Sequence, residues 1–233
     1  MHMVFSGNPG TGKTTVARLI KDIFYNLGYI AQNKLTEVTA KDLVGEYLGQ
    51  TSGKTYNVVK SAVGGVLFID EAYAITDGED AGNKYGNECV ATLLKLMEDY
   101  KNKLIIIFAG YDNKMENFLK SNPGLISRIG YKIKFPDYTL DELMQIYLKL
   151  LEKNNLKIDD EAIEKLKEVI TEASKQEDFG NARYINNIFQ KILIEHSKNM
   201  AQYDNEEKLY LITEEDISRE KLLTENNRRK IGF

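Results

Sequence analysis

A glycine-rich segment at residues 7–14 constrains the fold of this chain more than any other feature of the sequence. It reads GNPGTGKT and fits the pattern G-x-x-x-x-G-K-[ST]. A short apolar run at residues 3–5 precedes it, and apolar residues at helical spacing follow it over residues 14–27. Glycines let a backbone close around phosphate groups, because a Cβ would block the approach, and a helix N-terminus adds positive potential. The chain therefore opens with a strand, a phosphate-binding loop and a helix.

We expect this loop to hold the phosphates of ATP together with Mg²⁺. Lys13 can reach the β- and γ-phosphates, and the hydroxyl of Thr14 can ligate the metal ion. A glycine-rich turn with an unrelated lysine is the alternative, but the flanking strand and helix are the context that phosphate binding requires. The predicted nucleotide-binding residues are Gly7, Asn8, Pro9, Gly10, Thr11, Gly12, Lys13, Thr14 and Thr15.

Two acidic residues, Asp70 and Glu71, directly follow an unbroken apolar run at residues 66–69. In open α/β sheets, ligands bind beyond the carboxyl ends of the strands, where this pair is expected to lie. Asp70 is predicted to hold Mg²⁺ together with Thr14, and Glu71 to polarise the attacking water as a general base. The alternative is a pair of acids that end a strand and face solvent. The second acid favours hydrolysis over simple binding.

The pattern of apolar runs predicts an α/β fold with a parallel sheet flanked by helices. The runs at residues 66–69 and 104–108 are continuous rather than alternating, as in strands that helices cover on both faces. Residues 131–135 alternate and suggest a further strand. Stretches with helical periodicity separate these runs, and strands that alternate with helices indicate a doubly wound sheet.

After Pro136 the pattern becomes helical. Thr139 and Glu142 form the signature of a capping box, in which each side chain satisfies a free backbone N–H at the start of a helix. Two further helical patterns follow, each with one apolar face. We therefore predict a nucleotide-binding α/β domain at residues 1–137 and a smaller C-terminal helical domain at residues 138–233.

Composition narrows the classes of function. The net charge is −4, whereas proteins that grip nucleic acid through its phosphates usually carry a basic surplus. Only one cysteine is present, Cys89, so no intrachain disulfide can form, and it is expected to be a small buried residue. No apolar run has the length of a membrane span, and no signal peptide is apparent. We expect a cytoplasmic protein with no membrane or nucleic-acid partner.

Six motifs resemble those of AAA+ ATPases, and within them the CbxX/CfqX group. They are GNPGTGKTTVARL, DLVGEYLGQT, GGVLFIDEAY, FAGY, NPGLISRI and FGNARYINNIF, and the resemblance covers essentially the whole chain. It implies a P-loop AAA+ fold in which a helical lid follows the α/β domain. It also implies ATP hydrolysis by a homo-oligomeric ring, expected to be a hexamer, that remodels a client protein.

The resemblance assigns roles to three further residues. Arg128 matches the arginine finger, which reaches the site of a neighbouring subunit, and Arg183 matches the second sensor on the lid. With Lys13 and Glu71 they complete the predicted catalytic set. Tyr47 matches the pore loop, where an aromatic side chain grips a client peptide. The alternatives are ordinary surface arginines and a tyrosine packed on its own domain.

Two questions stay open at the level of sequence. Tyr111, Asp112 and Asn113 follow the strand that ends in FAGY, and any of them can serve as the first sensor that orients water. The leading hypothesis is the ring-forming remodeller. The alternatives are a nucleotide-dependent switch or scaffold that threads nothing, and a P-loop kinase that transfers phosphate to a small molecule. The sequence does not identify the client.

Overall fold

A computed structural model describes residues 1–47, 49–77, 81–200 and 209–218, with only the backbone described at residues 81–83. Its contacts divide the chain into two compact units. The first contains Met1–Asn8 and Gly12–Pro136. The second contains Pro9–Thr11 and the chain from Asp137 onward, so the tip of the glycine-rich loop groups with the C-terminal residues.

The first unit is built on a five-stranded parallel sheet with the strand order β2-β3-β4-β1-β5. The strands are β1 (Met3–Gly7), β2 (Leu35–Thr39), β3 (Val66–Asp70), β4 (Ile105–Gly110) and β5 (Tyr131–Phe135). The helices are α1 (Lys13–Asn26), α2 (Ala40–Leu43), α3 (Thr51–Ala62), α4 (Ala81–Asp99), α5 (Asp112–Lys120) and α6 (Pro123–Arg128), with a 3₁₀ turn at Ala72–Ile75.

Apolar cores cover both faces of the central strands. In β3, Leu67 and Ile69 belong to one core, and Val66 and Phe68 belong to the other, which α1 covers. Side chains alternate between the faces of a strand, so a strand covered on both sides needs a continuous apolar run. The packing therefore explains the run at residues 66–69, and the α/β fold with a parallel sheet is confirmed.

The second unit is mainly helical. It contains α7 (Leu140–Lys153), α8 (Asp160–Ala173), α9 (Asn181–Asn199), a 3₁₀ turn at Glu214–Asp216 and a two-stranded sheet of β6 (Lys157–Ile158) and β7 (Leu211–Ile212). The expected capping box begins α7, because the backbone N–H of Thr139 donates to Glu142 Oε2 at 2.8 Å and the Thr139 hydroxyl accepts from Glu142 N at 3.3 Å. Within the described ranges, every helix is too short or too polar to span a bilayer.

A buried polar cluster joins α9 to the last 3₁₀ turn. His196 Nδ1 lies 2.9 Å from Asp216 Oδ2, and His196 Nε2 lies 3.1 Å from the carbonyl oxygen of Leu209. Asp216 also accepts hydrogen bonds from the side chain of Asn199 and the backbone N–H of Thr213. Buried polar groups are tolerated when they are paired in this way, so the cluster fixes the end of α9 against the following chain.

Candidate nucleotide site

The parallel sheet brings the predicted loop and the acidic pair to one edge. Strand β4 lies between β1 and β3, and all three run in the same direction, so their carboxyl ends share that edge. Two strand spacings separate β1 from β3, which amounts to about 10 Å. The chain after Gly7 and the acids Asp70 and Glu71 therefore leave the sheet within reach of one triphosphate.

The glycine-rich loop is tightly constrained at both ends. Gly7 has a φ of 146°, and a Cβ there would lie 2.2 Å from the carbonyl oxygen of Phe135, so no other residue fits. Gly12 has a φ of 93° and caps the start of α1. Lys13 Nζ donates to the carbonyl oxygens of Gly7 at 2.9 Å and Asn8 at 2.8 Å, which holds its positive charge over the loop.

The acidic pair sits on a strained turn. Asp70 is half-buried and Glu71 is exposed. Glu71 has a φ of 49°, which is unusual for a residue with a side chain and costs about 1–3 kcal/mol. Its backbone N–H donates to Asp70 Oδ1 at 3.0 Å, and its carbonyl accepts from the backbone N–H of Ala74. These bonds orient the Asp70 carboxylate and fix the backbone from which the Glu71 side chain projects.

The hydroxyl of Thr14 and the carboxylate of Asp70 fit a magnesium ion shared with a nucleotide. Thr14 lies in the first turn of α1 and Asp70 ends β3, so both lie at the sheet edge that carries the loop. A hydroxyl and a carboxylate are hard oxygen donors. The part of the chain that the structure describes holds no cluster of three or more His, Cys, Asp or Glu arranged for a metal. Mg²⁺ commonly takes one or two protein ligands and fills its remaining positions with phosphate oxygens and water.

A second network at this edge involves two residues that the sequence analysis missed, Ser6 and Lys134. Lys134 Nζ lies 2.9 Å from Asp112 Oδ2, and Ser6 also hydrogen-bonds to Asp112. Partial burial raises the pKa of Asp112, but the hydrogen bonds from Ser6 and Lys134 and the charge of Lys13 outweigh it and lower the pKa. Asp112 is therefore held as a carboxylate, and the charge of Lys13 contributes to lowering its pKa.

The other two first-sensor candidates flank Asp112 in the sequence. Tyr111 packs its ring against Tyr73, with 5.9 Å between the centroids, and Asn113 lines the same groove beside α5 and β5 as Asp112. Tyr73 packs so closely on the end of β4 that a Cβ on Gly110 would lie 2.7 Å from its ring. Burial, and then the nearby Glu71, raise the pKa of Tyr73 to about 12, so its phenol stays neutral. The charge of Lys13 in the glycine-rich loop acts on Asp112.

Arg128 lies at the amino-terminal end of the parallel strands, opposite to the carboxyl end that carries the loop. The cap at Asn122, whose Oδ1 accepts from Gly124 N at 2.8 Å, begins α6, and Arg128 ends it just before β5. The following Gly130 donates its backbone N–H to the carbonyl of His2, ahead of β1. Because β5 is five residues long, about 13 Å separates its two ends. Arg128 is therefore remote from the loop of its own unit.

Arg128 is also weakly held. Its guanidinium lies 3.7 Å from Glu98 Oε2 and 3.5 Å from the carbonyl oxygen of Gly124, and its side chain is 34% exposed. Among the described residues, no atom accepts a hydrogen bond from its Nε. Both observed contacts are near the distance limits for such interactions, so the side chain can leave them at little cost.

The remaining predicted residues lie on α9 and on an exposed loop. Arg183 is exposed near the start of α9, and its backbone N–H donates to the carbonyl of Gly180 at 3.0 Å. Tyr47 is 67% exposed between α2 and α3, and Leu48 beside it lies outside the described residues. Gly45 N donates to Thr51 Oγ1 at 3.1 Å, which ties the two ends of the Tyr47 loop together.

Comparison with protein families decides the identity. Residues 3–137 match the model of the ATPase family associated with various cellular activities (AAA). The chain is an ATPase of the AAA family. Residues 139–227 match an AAA lid domain, so the predicted lid is part of the same family architecture.

Curated relatives confirm the resemblance to the CbxX/CfqX group. The CfxQ homolog of Pyropia yezoensis is 48% identical over 187 residues, which cover 80% of this AAA chain and 62% of that protein. The chloroplastic ribulose bisphosphate carboxylase/oxygenase activase of Cyanidioschyzon merolae is 42% identical. The match covers 95% of this chain and 77% of that protein. Stage V sporulation protein K of Bacillus subtilis is 39% identical, and the match covers 91% of this chain and 66% of that protein. This chain therefore spans about two thirds to three quarters of these relatives.

Solved structures support the fold alone. The Holliday junction branch migration motor RuvB of Thermotoga maritima superposes with a TM-score of 0.61 at 21% identity, covering 89% of this AAA chain and 59% of that one. At this level of identity the match carries no information on the partner or substrate of this chain.

The Asp112 network generates a titration prediction. Replacing Lys134 by Met removes a hydrogen bond and a positive charge that lower the pKa of Asp112, so we expect that pKa to rise toward its usual range. Lys132→Met is the matched control, because Lys132 lines the same groove two residues away. Carbon-13 NMR of the Asp112 carboxyl measures both variants. Equal Asp112 pKa values in the two variants would show that Lys134 does not hold this carboxylate.

Proposed function

We propose that this AAA ATPase binds Mg·ATP on the loop at residues 7–14 and hydrolyses it between the subunits of a ring, so that it remodels a client protein. One observation carries the proposal: the loop, the Asp70–Glu71 pair and the Asp112 network share one edge of the sheet. The predicted cytoplasmic location stays a prediction.

Lys13 is well placed to bind the nucleotide. Its ammonium already lies over the loop on two neutral carbonyls, and phosphate oxygens are charged acceptors that form stronger hydrogen bonds. Thr14 and Asp70 would hold Mg²⁺, which when bound neutralises charge on the phosphate oxygens. Binding then draws Lys13 from the carbonyls of Gly7 and Asn8 onto the β- and γ-phosphates.

Glu71 is the proposed general base. It accepts a proton from the attacking water, and the water oxygen forms a bond to the γ-phosphorus while the bond to the β–γ bridging oxygen breaks. The exposed carboxylate on its strained turn leaves room for that water. Asp112 is the proposed first sensor, since it is held charged and lies within the electrostatic reach of Lys13.

The position of Arg128 supports hydrolysis between subunits. Its charge lies at the far edge of its own sheet, and its contacts with Glu98 and Gly124 among the described residues are long, so it is available to the site of a neighbouring copy. There it would stabilise the negative charge on the transferring phosphoryl group. Arg183 is the proposed second sensor, which couples the lid to the nucleotide state. A homo-hexameric ring is the assembly that we propose.

The exposed Tyr47 supports action on a protein client. A large amphipathic ring on a tied loop offers contact area at low entropic cost, and it needs no particular client sequence. The name of the Cyanidioschyzon relative states that it activates a carboxylase, and we propose the same kind of action, on a protein partner, for this chain. The alternative is a nucleotide-dependent switch or scaffold without threading.

A mixing experiment tests hydrolysis in trans. Glu71→Gln lacks the base and Arg128→Ala lacks the finger, so each variant alone is expected to lose about 100-fold or more in ATPase rate. In mixed rings, an Arg128→Ala subunit supplies Glu71 while its Glu71→Gln neighbour supplies Arg128, and phosphate release should recover. The Glu71→Gln/Arg128→Ala double variant, mixed with either single variant, is the control that should stay inactive. If the two single variants do not complement each other, Arg128 does not act across an interface.

A tyrosine substitution separates remodelling from the switch alternative. Tyr47→Ala should retain ATP hydrolysis within about twofold, because Tyr47 is a largely exposed side chain outside the proposed nucleotide-binding and catalytic set, and it should lose remodelling of the client. Tyr210→Ala is the matched control, since Tyr210 is 58% exposed and Tyr47 is 67% exposed. Phosphate release and unfolding of a tagged client captured with Glu71→Gln are measured in parallel. Unchanged remodelling in Tyr47→Ala would favour the switch or scaffold.

A further inference from the structure

The side chain of Asn181 is held by several hydrogen bonds within the second unit. It is fully buried, and its Oδ1 accepts from the backbone N–H of Tyr138 at 2.9 Å. The two hydrogens of its Nδ2 are shared among three acceptors, Asp137 Oδ1 at 2.7 Å, the carbonyl of Phe179 at 3.1 Å and the carbonyl of Pro9 at 3.4 Å. Acceptors surround one end of the amide and a donor faces the other, so its orientation is determined.

The carbonyl oxygens of the three loop residues in this unit, Pro9–Thr11, all accept hydrogen bonds. The carbonyl of Pro9 accepts from Asn181, that of Gly10 accepts from the backbone N–H of Ala182 at 3.3 Å, and that of Thr11 accepts from the hydroxyl of Tyr138 at 3.3 Å. In a trans peptide the carbonyl and the next N–H point in opposite directions. Anchoring these carbonyls therefore sets the direction of the backbone N–H groups of Gly10, Thr11 and Gly12.

We propose that Asn181 is a positioning residue, which holds the tip of the glycine-rich loop in the shape that receives phosphates. It contacts Pro9 directly, and it also holds the backbone of Tyr138, whose hydroxyl anchors Thr11. The inference rests on the proposed nucleotide role of the loop. Binding of ATP by the unmodified chain tests that role separately.

The backbone at Asn181 shows why this residue type is needed. Its φ is 48°, in the left-handed region that glycine and asparagine tolerate best. Glycine lacks the amide, and aspartate lacks the donors and would face the carboxylate of Asp137. The neighbouring backbone is equally close, since a Cβ on Gly10 would lie 2.2 Å from the carbonyl oxygen of Gly180. Asparagine supplies both the backbone conformation and the donors.

Asn181→Gly tests the proposal, because glycine tolerates the left-handed backbone and the substitution removes the side chain that carries the amide. We expect the affinity for ATP and ADP to fall about five- to tenfold, as for the loss of one or two hydrogen bonds, with KM raised and kcat within about twofold. The control is Asn186→Ala, an exposed position on α9. Nucleotide titration, ATPase kinetics and thermal unfolding are measured on each variant.

Exchanging Asn181 and Asp137 tests whether Asn181 positions the loop or only stabilises the fold. In Asn181→Asp/Asp137→Asn, the amide and carboxylate exchange places, so their mutual hydrogen bond can re-form, but the donor to Pro9 is lost. We expect this double variant to regain the thermal stability that Asn181→Asp loses while its ATP affinity stays weak. Recovery of both properties together, or unchanged nucleotide affinity in Asn181→Gly, would overturn the proposal.

Discussion

The structure depends on a backbone loop that concentrates positive potential at the carboxyl edge of a parallel sheet. Lys13 donates to the carbonyls of Gly7 and Asn8, and Gly12 turns the chain into α1 with a left-handed backbone. A nest of this kind is stable only where the strand, the glycines and the helix are all fixed. The buried strands supply that rigidity, because both of their faces are covered by apolar cores.

The sheet separates Arg128 from the residues of the proposed nucleotide site. The loop, Asp70, Glu71 and Asp112 lie at the carboxyl edge, whereas Arg128 lies at the other edge, about 13 Å along β5. Interactions between exposed charges are largely screened beyond about 8–10 Å at ordinary ionic strength. An arginine at that edge contributes little to its own site, which is the physical basis for the proposed contribution across an interface.

The sequence was sufficient to predict features with local signals. The continuous run at residues 66–69, the capping residues of α7 and the glycine-rich loop each have a physical cause within a few residues. The fold class and the AAA family followed from them and from the motifs. Shorter elements were missed, including α2, with four residues, and α6, although Asn122 and Pro123 carry its N-terminal signal.

Features that depend on distant residues were not predictable in this way. Ser6 and Lys134 meet because β1 pairs with β5, a register that the sequence does not reveal. The choice among three adjacent polar residues after β4 depends on the turn that leaves the strand, and we propose Asp112 because Lys134 and Ser6 hydrogen-bond to it. In the sequence Asn181 is one residue of a lid motif, but its contacts join residues far apart along the chain.

Calorimetric titration with Mg·ATP tests the central claim, which is that the lysine-bearing loop holds the triphosphate. The unmodified chain is expected to bind one ATP per subunit, and Lys13→Ala to bind about 10- to 100-fold more weakly, as for the loss of a charged hydrogen bond worth about 1.5–3 kcal/mol. Lys21→Ala is the control, because Lys21 lies on the same helix and pairs with Asp22 at 2.8 Å. Equal affinities for the unmodified chain and Lys13→Ala would contradict the account.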